Sequence, residues 1–431
     1  MQIRTAESES AREQGADTVK PGALRSPLYR RFWLGSLASV GGVQLIQLAQ
    51  GWLIVDRLDG SPLILGALGA ATAVPTILVN LFGGVLADRL DRRLLILATS
   101  IVSALLLAIL ATLDVTGAVQ TWHVIAIAAS MGLLFGIDGP ARNAFFPSLI
   151  RREQMMSAVA LNSMLWQGTR VISPMIGGFL IAGFGTGLTF FVAMCGFVAM
   201  TVVLVTLRVP VVPSEVPQRR VLQELAEGVS YIAHTRLFAV LIPLTYSHML
   251  FGMMYVMMMP LIAQSFGVGS QGLGLLFSMV GTGALTGTFL ALRVQTFRHL
   301  GRLMLVMLFV AELFIAGFAF APWYPLALAL LFCASLANSV FNISSMTALQ
   351  MRVPDALRGR VMGIHTITFS MMPLGGLLGG ALASATSVPI AVAIGAGVIA
   401  VVVVVIALTQ PALRNLEGGA PPSRPGVRGG H

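Results

Sequence analysis

Charged residues are scarce in this chain of 431 residues: they make up 10% of it, whereas hydrophobic residues make up 56%. Soluble domains are usually about one quarter charged, so the composition excludes a soluble globular protein and indicates a protein with several membrane spans. Cysteine is also rare. Cys195 and Cys333 both lie in apolar stretches, where packing in the core is expected rather than a disulfide.

Several signatures of chemistry are missing from the sequence as well. It contains no phosphate-binding loop of the Gly-x-x-x-x-Gly-Lys type, no spacing typical of metal ligands and no nucleophile triad. We therefore predict that the protein is not an enzyme, needs no cofactor or metal, and does not itself use ATP.

Apolar stretches of the length that crosses a bilayer, roughly 20 residues, dominate the chain. We count twelve and call them spans 1 to 12, at 33–55, 63–86, 94–113, 122–147, 158–183, 187–207, 237–263, 271–292, 303–321, 324–349, 361–384 and 388–409. The predicted fold is an all-α membrane protein with twelve transmembrane helices in two pseudo-symmetric bundles of six.

The distribution of positive charge supports this count. If the N-terminus is cytoplasmic, 25 of the 27 Arg and Lys residues fall in cytoplasmic segments or at their edges, as the positive-inside rule requires. The two exceptions are Arg57, in an outer loop, and Arg170, inside span 5. Both termini are therefore predicted to be cytoplasmic. The net charge of +10 reflects this topology and does not indicate nucleic-acid binding.

The chain divides into two halves and three polar segments. Residues 1–31 are predicted to be a disordered cytoplasmic tail, and residues 32–207 to form the N-terminal six-helix bundle. Residues 208–236 begin with prolines and become amphipathic, which fits either an interfacial helix or a plain linker. Residues 237–409 form the C-terminal bundle, and the Gly/Pro-rich residues 410–431 a second disordered tail.

Spans 5 and 11 carry matching motifs, as a duplicated transporter should. Each contains a proline followed within four residues by a pair of glycines, and small residues of this kind let helices approach closely. The residues of this helix-packing motif are Pro174, Gly177 and Gly178 in span 5, and Pro373, Gly375 and Gly376 in span 11.

The short loop after span 2 is the most informative segment. It reads Gly84-Val-Leu-Ala-Asp88-Arg89-Leu-Asp-Arg92-Arg93, and so many charges cannot lie in hydrocarbon. Asp88 and Arg92 are four residues apart, which suits an ion pair on one helical turn. We interpret the loop as a gate that holds the cytoplasmic side closed, with Asp88 facing the start of span 11 and Arg92 paired with an acid of span 4.

This gate loop, with the twelve spans and their repeat, resembles the major facilitator superfamily over residues 30–410. Within it, the chain is similar to bacterial enterobactin exporters and related drug and macrolide exporters. The runs that carry this likeness are Gly139 to Pro147, Ala160 to Ser163, and Val353-Pro354-Asp355 with Arg358 to Val361. The chain departs from the superfamily at Asp91, where the gate loop usually has glycine, and at Ser173, where the exporters often have glycine before the proline.

The resemblance implies a proton-coupled exporter of small organic molecules, such as siderophores or drugs, that works by alternating access in a bacterial inner membrane. Its partners would be the substrate, protons and the lipid bilayer, and the protein would act as a monomer. An importer of a nutrient or siderophore is the first alternative. A membrane scaffold or sensor that transports nothing is the second, although the short tails offer little to signal with.

Charged or titratable residues inside the spans are the candidates for proton coupling or ion pairing, because buried charge is costly without a partner or a role. They are Asp138, Arg142, Arg170, His248 and Glu312. Asp138 is either a proton carrier or a structural partner of Arg142 or Arg92. Arg170 is either an anion site or a packing contact. His248 and Glu312 are either coupling residues or buried hydrogen-bonding groups, and the family fold places span 9, with Glu312, at the periphery.

The resemblance also places spans 1, 4, 7 and 10 around a central cavity. Gln44 and Gln47 on span 1 share a helix face, as do Asn338 and Asn342 on span 10, and these amides are candidate cavity lining for a polar or amphipathic substrate. Further candidates on spans 5 and 7 are Trp166, Met254, Tyr255 and Met258. Methionine surfaces suit a permissive site, but they also serve ordinary packing.

Overall fold

The computed structural model describes residues 22–207, 221–294 and 299–417, with the side chains at 81–89, 221–225, 294, 355–356 and 366 excepted. The N-terminal half is built from long helices. Span 1 is Pro27–Asp56, span 2 Pro62–Arg89, span 3 Arg92–Val115, span 4 Thr121–Phe145, and spans 5 and 6 lie in Met155–Thr206.

A single glycine separates spans 5 and 6. At about 1.5 Å per residue, a straight helix of this length would be far longer than the roughly 30 Å hydrocarbon layer. Gly185 has φ 83°, a left-handed conformation that turns the chain and leaves helices at 155–184 and 186–206. Within the described residues eleven helices are long and apolar enough to span a membrane, one of them this double helix. The prediction of twelve spans is therefore confirmed.

The C-terminal half repeats the arrangement with more interruptions. An amphipathic helix, Val221–His234, precedes it. Span 7 consists of Arg236–Ser247, a π-helical turn at His248–Gly252, and Tyr255–Ser265; span 8 is Gly269–Val294, span 9 Leu300–Ala319 and span 10 Tyr324–Arg352. Span 11 consists of Asp355–Ile367, a 3-10 turn at Thr368–Ser370, and Met371–Ala385; span 12 is Val388–Thr409, followed by Pro411–Arg414.

Both predicted tails are shorter than the sequence suggested. Ser26 accepts a hydrogen bond from the backbone N–H of Tyr29 at the start of span 1, and the Tyr29 hydroxyl donates to the carbonyl of Ala158 at 3.0 Å. Residues 22–31 therefore belong to the N-terminal bundle. At the other end Leu413 and Leu416 are buried, so 410–417 packs on the C-terminal bundle. In both segments, a few apolar side chains within an otherwise polar sequence are buried against the bundle, which is why the tails are shorter than predicted.

The two halves meet through two helix pairs. Span 5 packs on span 8, and span 2 packs on the Met371–Ala385 part of span 11. Glycines set the distance: a Cβ at Gly178 would lie 2.6 Å from the carbonyl oxygen of Ser270, and one at Gly66 would lie 2.6 Å from that of Gly376. Gly177 and Gly375 face spans 1 and 7 of their own halves in the same way.

These contacts close one side of the molecule. We call the face where spans 1, 3, 5, 7, 9 and 11 begin the basic face, because Arg and Lys collect there, and the other the opposite face. Three hydrogen bonds between described residues join the halves, and they lie toward the opposite face or mid-membrane: Leu63 N–H to Ser384 at 3.2 Å, Ser270 to Gly178 at 3.1 Å, and Ser278 to Val171 at 2.8 Å. The halves are thus closed toward the opposite face.

Adding one methyl group at Gly178 tests whether this packing keeps the opposite face closed. In Gly178→Ala the new Cβ would crowd the Ser270 carbonyl, and overpacking of this kind costs roughly 1–3 kcal/mol. We expect the closed population to fall about tenfold for each ~1.4 kcal/mol lost. The measurement is labelling of a cysteine at Gln47, which lines the space between the halves, by an impermeant maleimide added at the opposite face.

Gly168→Ala is the matched control, because a Cβ at this position in the same span meets nothing within 4 Å. Both variants also carry serine at Cys195 and Cys333, since these native thiols are free. Equal labelling of the two variants would show that the glycine contacts do not set the closure.

Candidate functional site

Three neighbouring cavities lie along span 1. The vestibule, about 380 Å³, lies toward the basic face; the deep cavity, about 220 Å³, lies toward the opposite face; and the central cavity, about 270 Å³, lies between the two halves. Val43 and Phe135 line both the vestibule and the deep cavity, while Gln47, Val256 and Phe277 line both the deep and central cavities. Neighbouring cavities therefore lie side by side, from the basic-face end of span 1 to the middle of the membrane.

The polar side chains of the central cavity come from three spans. Span 1 contributes Gln44 and Gln47, span 5 contributes Arg170, and span 10 contributes Asn338 and Asn342. The helical spacing of each amide pair, three or four residues, puts both members on the face that turns toward the other half. The structure thus brings together residues that are almost 300 positions apart in the chain.

Three residues of span 7 do not line the cavities. Met254, Tyr255 and Met258, which the sequence suggested as lining, are 1%, 2% and 0% exposed and pack in the core of the C-terminal half. The π-helical turn just before them inserts extra backbone and rotates the rest of the span. As a result Met253 and Met257 face the cavities instead.

A buried polar triad lies behind the central cavity. His248 Nδ1 is 2.9 Å from Oε1 of Glu312 on span 9, and His248 Nε2 is 2.9 Å from Oδ1 of Asn338 on span 10. His248 and Glu312 are 2% and 1% exposed. Asn342 donates to the same Asn338 oxygen at 2.6 Å. The triad therefore connects a buried acid, through a histidine, to an amide that lines the cavity.

The hydrogen bonds fix how many protons the triad holds. With the Asn338 oxygen facing the ring, an atom that only accepts, His248 Nε2 carries a proton and donates it. One further proton then lies between His248 Nδ1 and Glu312, on either the imidazole or the carboxyl group. In both cases the pair is neutral overall, and any other proton count would leave a net charge in a buried site.

The backbone near the His248–Glu312 pair packs closely against both side chains. Gly252 ends the π-helical turn, and a Cβ there would lie 2.5 Å from both His248 Nδ1 and Glu312 Oε1. The second carboxyl oxygen of Glu312 is buried and makes no hydrogen bond to a described residue. Such an incompletely satisfied acid is costly as a structural element alone, which favours a functional role.

Arg170 is the charged residue of the central cavity. Its side chain is exposed to open space rather than packed, and it makes no hydrogen bond or ion pair with the residues that the structure describes. Gly281 of span 8 packs against its backbone carbonyl, so the position of the helix is fixed while the guanidinium is free to bind.

The vestibule holds a charge pair that is already satisfied. Arg142 Nε lies 2.5 Å from Oδ2 of Asp138, one helical turn away, and Oδ1 of Asp138 accepts from Thr99 of span 3 at 3.0 Å. Trp166 lines the vestibule with other aromatic side chains, among them Trp33. Of the two roles open for Asp138, the structure places it as the partner of Arg142.

The gate loop is only partly within the described residues. The side chains of Asp88 and Arg89 and the surroundings of Gly84 lie outside them. Arg92 donates to the carbonyl of Ala144 at 3.1 Å and is not paired with Asp138, the acid of span 4, because Arg142 already occupies that carboxylate. Arg93 donates to the carbonyl of Leu204 at 2.8 Å, so both arginines fasten span 3 to its neighbours.

Asp91, which stands where the gate loop usually has glycine, caps span 3. Its carboxylate accepts a hydrogen bond from the backbone N–H of Arg93 at 2.8 Å. An aspartate at this position satisfies an otherwise unpaired N–H of the helix start. The departure from the superfamily pattern thus has a local structural reason.

A second charge cluster, which the sequence analysis missed, lies at the opposite face. Asp114, at the end of span 3, is fully buried; it accepts from Arg57 at 2.5 Å and from the hydroxyl of Thr186, just after the Gly185 turn. The signal available in the sequence was Arg57, a single basic residue at this face with Asp56, Asp59 and Asp114 as possible partners. This cluster ties the loop after span 1 to spans 3 and 6.

The amphipathic helix is attached to span 11. Arg360, near the start of span 11, forms an ion pair with Glu227, and a Cβ at Gly228 would crowd Ile364. Of the two possibilities for the 208–236 segment, the described part is a helix that packs on the basic-face end of span 11.

Replacing Asp114 tests whether the opposite-face cluster is structural. In Asp114→Ala the guanidinium of Arg57 and the hydroxyl of Thr186 lose a buried acceptor. Arg57 is 48% exposed, so solvent screens part of the pair, and we expect a loss of about 1–3 kcal/mol in the free energy of unfolding. The measurement is the unfolding temperature of the purified protein in detergent.

Asp56→Ala serves as the control, since Asp56 is an exposed acid near the same face. An unfolding temperature that falls equally in the two variants, or in neither, would contradict a stabilising role of the cluster.

Comparison with known proteins agrees with this architecture. A family model described as transmembrane secretion effector matches residues 19–425. The chain is 25% identical over 350 residues to the enterobactin exporter EntS of Shigella boydii serotype 4 (strain Sb227), which covers 79% of this chain and 81% of the exporter. It is 24% identical over 343 residues to the staphyloferrin A transporter of Staphylococcus aureus (strain NCTC 8325 / PS 47), covering 77% and 83%.

Solved structures show the same fold at lower identity. The nucleoside transporter NupG superimposes with a TM-score of 0.70 at 14% identity, over 88% of this chain and 98% of that one. A bacterial homologue of the iron transporter ferroportin, solved in an inward-facing state, gives 0.66 at 16% identity, over 88% and 98%. These likenesses concern the fold and leave the cargo open.

Proposed function

Because this chain belongs to the transmembrane secretion effector family of the major facilitator superfamily, we propose that it exports a small organic molecule in exchange for protons. As a member it is a multi-pass membrane protein and a secondary transporter of a small molecule rather than an enzyme. The direction of transport, the coupling ion and a monomeric state are our proposals. The names of the relatives support a siderophore as the class of cargo.

The charge distribution supports an orientation in a bacterial inner membrane. With the basic face in the cytoplasm, the arginines obey the positive-inside rule, and both termini are cytoplasmic. The structure is then closed toward the outside, with its cavities on the cytoplasmic side of the closure. In alternating access the two halves rock so that this closure opens and the basic face closes.

The observation that carries the proposal is the buried His248–Glu312 pair, hydrogen-bonded to Asn338 of the cavity wall. Ionisable residues inside a membrane protein mark ion or proton pathways by default. Here the pair is neutral with one shared proton, and only the Asn338 amide separates it from the cavity.

Proton release follows from the two ring nitrogens. The Nε2 proton passes to water in the cavity, the shared proton settles on Nδ1, and Glu312 remains a carboxylate beside it. Proton uptake reverses these steps. Each event changes the charge of the pair by one and leaves His248 neutral in the released state.

The Asn338 amide can transmit this change in protonation to the substrate site. When Nε2 has lost its proton, the Asn338 amide must turn so that its N–H donates to the ring nitrogen. Asn342 then loses the side-chain oxygen to which it donated, and its N–H becomes available to a substrate. The deprotonated pair therefore favours bound substrate and the protonated pair favours release, which is the order that exchange transport needs.

The role that we propose for the gate loop rests on its sequence. We propose that Asp88, Arg89, Arg92 and Arg93 form a latch at the basic face that stabilises the outward-open state, in which span 11 approaches span 2. Gly84 would allow that approach. In the present state the described parts of span 2 and span 11 meet mainly at Met371–Ala385 and Thr368–Ser370.

Everted membrane vesicles test both direction and coupling. With an acidic interior generated by respiration, enterobactin added outside should accumulate in vesicles that contain the protein and release protons in the process. Accumulation that needs no pH gradient would contradict proton exchange. Expulsion of preloaded enterobactin under the same gradient would show import into the cell. A panel of other siderophores and drugs extends the assay if enterobactin is not carried.

Glu312→Gln should abolish gradient-driven accumulation while leaving the transport path intact. Glutamine keeps a hydrogen bond to His248 Nδ1 but cannot hold a proton, so we expect gradient-driven uptake to fall at least about tenfold. Exchange of labelled for unlabelled substrate without a gradient should continue. Glu153→Gln, which changes an exposed acid at the basic face, should behave like the wild type. Normal gradient-driven uptake by Glu312→Gln would exclude the pair as the proton site.

Asn338→Ala should uncouple proton movement from substrate movement, because the amide that links the two sites is gone. We expect the number of protons released per substrate taken up to fall, with exchange retained. Gln44→Ala is the control: Gln44 lines the same cavity from span 1 and has no hydrogen bond to the triad among the described residues, so its loss should raise KM and keep the ratio. An unchanged ratio in Asn338→Ala would refute the linkage.

A further inference from the structure

The geometry points to an organic anion as the cargo: we infer that Arg170 binds a carboxylate, or an acidic group of similar shape, on the transported molecule. This inference rests on the proposed transport function and names its substrate class. It starts from the guanidinium of Arg170 in the wall of the central cavity, which is paired with none of the described residues.

The charges around the three cavities do not cancel. In the vestibule Asp138 and Arg142 neutralise each other. The described lining of the deep and central cavities contains no carboxylate, and Arg170 is its single charged side chain. With the His248–Glu312 pair in its neutral form, the space lined by these residues is therefore positive, which attracts anions and repels cations.

Glu312, the one buried acid among the described residues of the C-terminal half, does not serve as a counter-ion. Glu312 lies behind His248, is 1% exposed, and directs Oε1 at the histidine ring. An isolated cation within a membrane protein is costly, and none of the residues that the structure describes offsets that cost for Arg170. A bound anion would do so.

The rest of the cavity fits an organic body rather than a bare inorganic ion. Gln44, Gln47 and Asn342 supply amide groups that can donate to further oxygen atoms. Phe277, Phe369 and Met253 form apolar walls. A guanidinium binds a carboxylate through two parallel hydrogen bonds, so Arg170 would fix the acidic end while the walls hold the remainder.

The charge of the cargo decides how the membrane potential acts on transport. Export of one negative charge together with entry of one proton moves two charges in the same electrical sense. A neutral cargo would move one. An inside-negative potential therefore drives an anion exporter more steeply than an exporter of neutral molecules.

Binding of three probes with the same ring and different charge tests the inference without transport. Benzoate is an anion, benzamide is its neutral isostere and benzylammonium is a cation. Each is titrated against the purified full-length protein in detergent, and the unfolding temperature is recorded. We expect benzoate to raise this temperature, and the other two probes to raise it much less or not at all.

Variants of Arg170 assign the effect to one side chain. Arg170→Gln should weaken benzoate binding at least about tenfold, because a charge-assisted pair is lost, and Arg170→Lys should retain part of it. Arg302→Gln is the control, since it removes an exposed charge at the start of span 9, and it should bind benzoate normally. Arg170→Gln should fold, as Arg170 has no partner among the described residues to leave unsatisfied.

The outcomes separate this inference from the proposed function. No benzoate effect in the wild type, an equal effect of benzamide, or an equal effect in Arg170→Gln would overturn the anion site. None of these results involves a proton gradient, so proton exchange is still judged in the vesicle assay. Conversely, benzoate binding that depends on Arg170 would stand even if vesicles showed transport in the other direction.

Discussion

A charge placed inside hydrocarbon must be paired, and this one requirement organises the interior of the protein. Asp138 is paired with Arg142, Asp114 with Arg57, and Glu312 with His248. The first two pairs lie near the two membrane faces: the first joins successive turns of span 4, and the second joins the loop after span 1 to span 3. The third lies deep between helices and can change its proton count. Arg170 alone has no partner among the described residues, and it is the one that faces the space between the halves.

The closed side of the molecule depends on backbone contact rather than on side chains. Glycines of spans 2, 5, 8 and 11 bring main chains together where Gly178 meets Ser270 and Gly66 meets Gly376. Such contacts have little apolar area to lose when they separate and few side chains to reorder. The same helices can therefore part at one face while the polar triad, held within the C-terminal half, travels as a unit with its helices.

The sequence predicted the fold well because its signals are local or additive. Span length and the placement of arginine do not depend on which helices touch, so twelve spans, the fold class and the superfamily are all confirmed. Ion pairs between helices depend on tertiary contacts and could not be predicted, because no local pattern links His248 to Glu312, or Asp114 to Arg57. The methionines of span 7 show a further limit, since a π-helical turn rotated Met254 and Met258 away from the cavity. Tyr29, Leu413 and Leu416 likewise extend the bundles into segments whose composition resembles tails.

The attachment of the amphipathic helix to span 11 differs in kind from the buried pairs. Glu227 is 59% exposed and Arg360 is 23% exposed, so dissolved ions at the basic face compete with their attraction over a distance of about 8–10 Å at physiological salt. Buried pairs are screened far less. The strength of the contact between the amphipathic helix and the first segment of span 11 should thus vary with the ionic strength of the adjoining aqueous phase. The buried pairs should be affected much less. Osmotic conditions that concentrate or dilute that phase would then change how strongly span 11 is held at the basic face, without changing the buried residues of the candidate site.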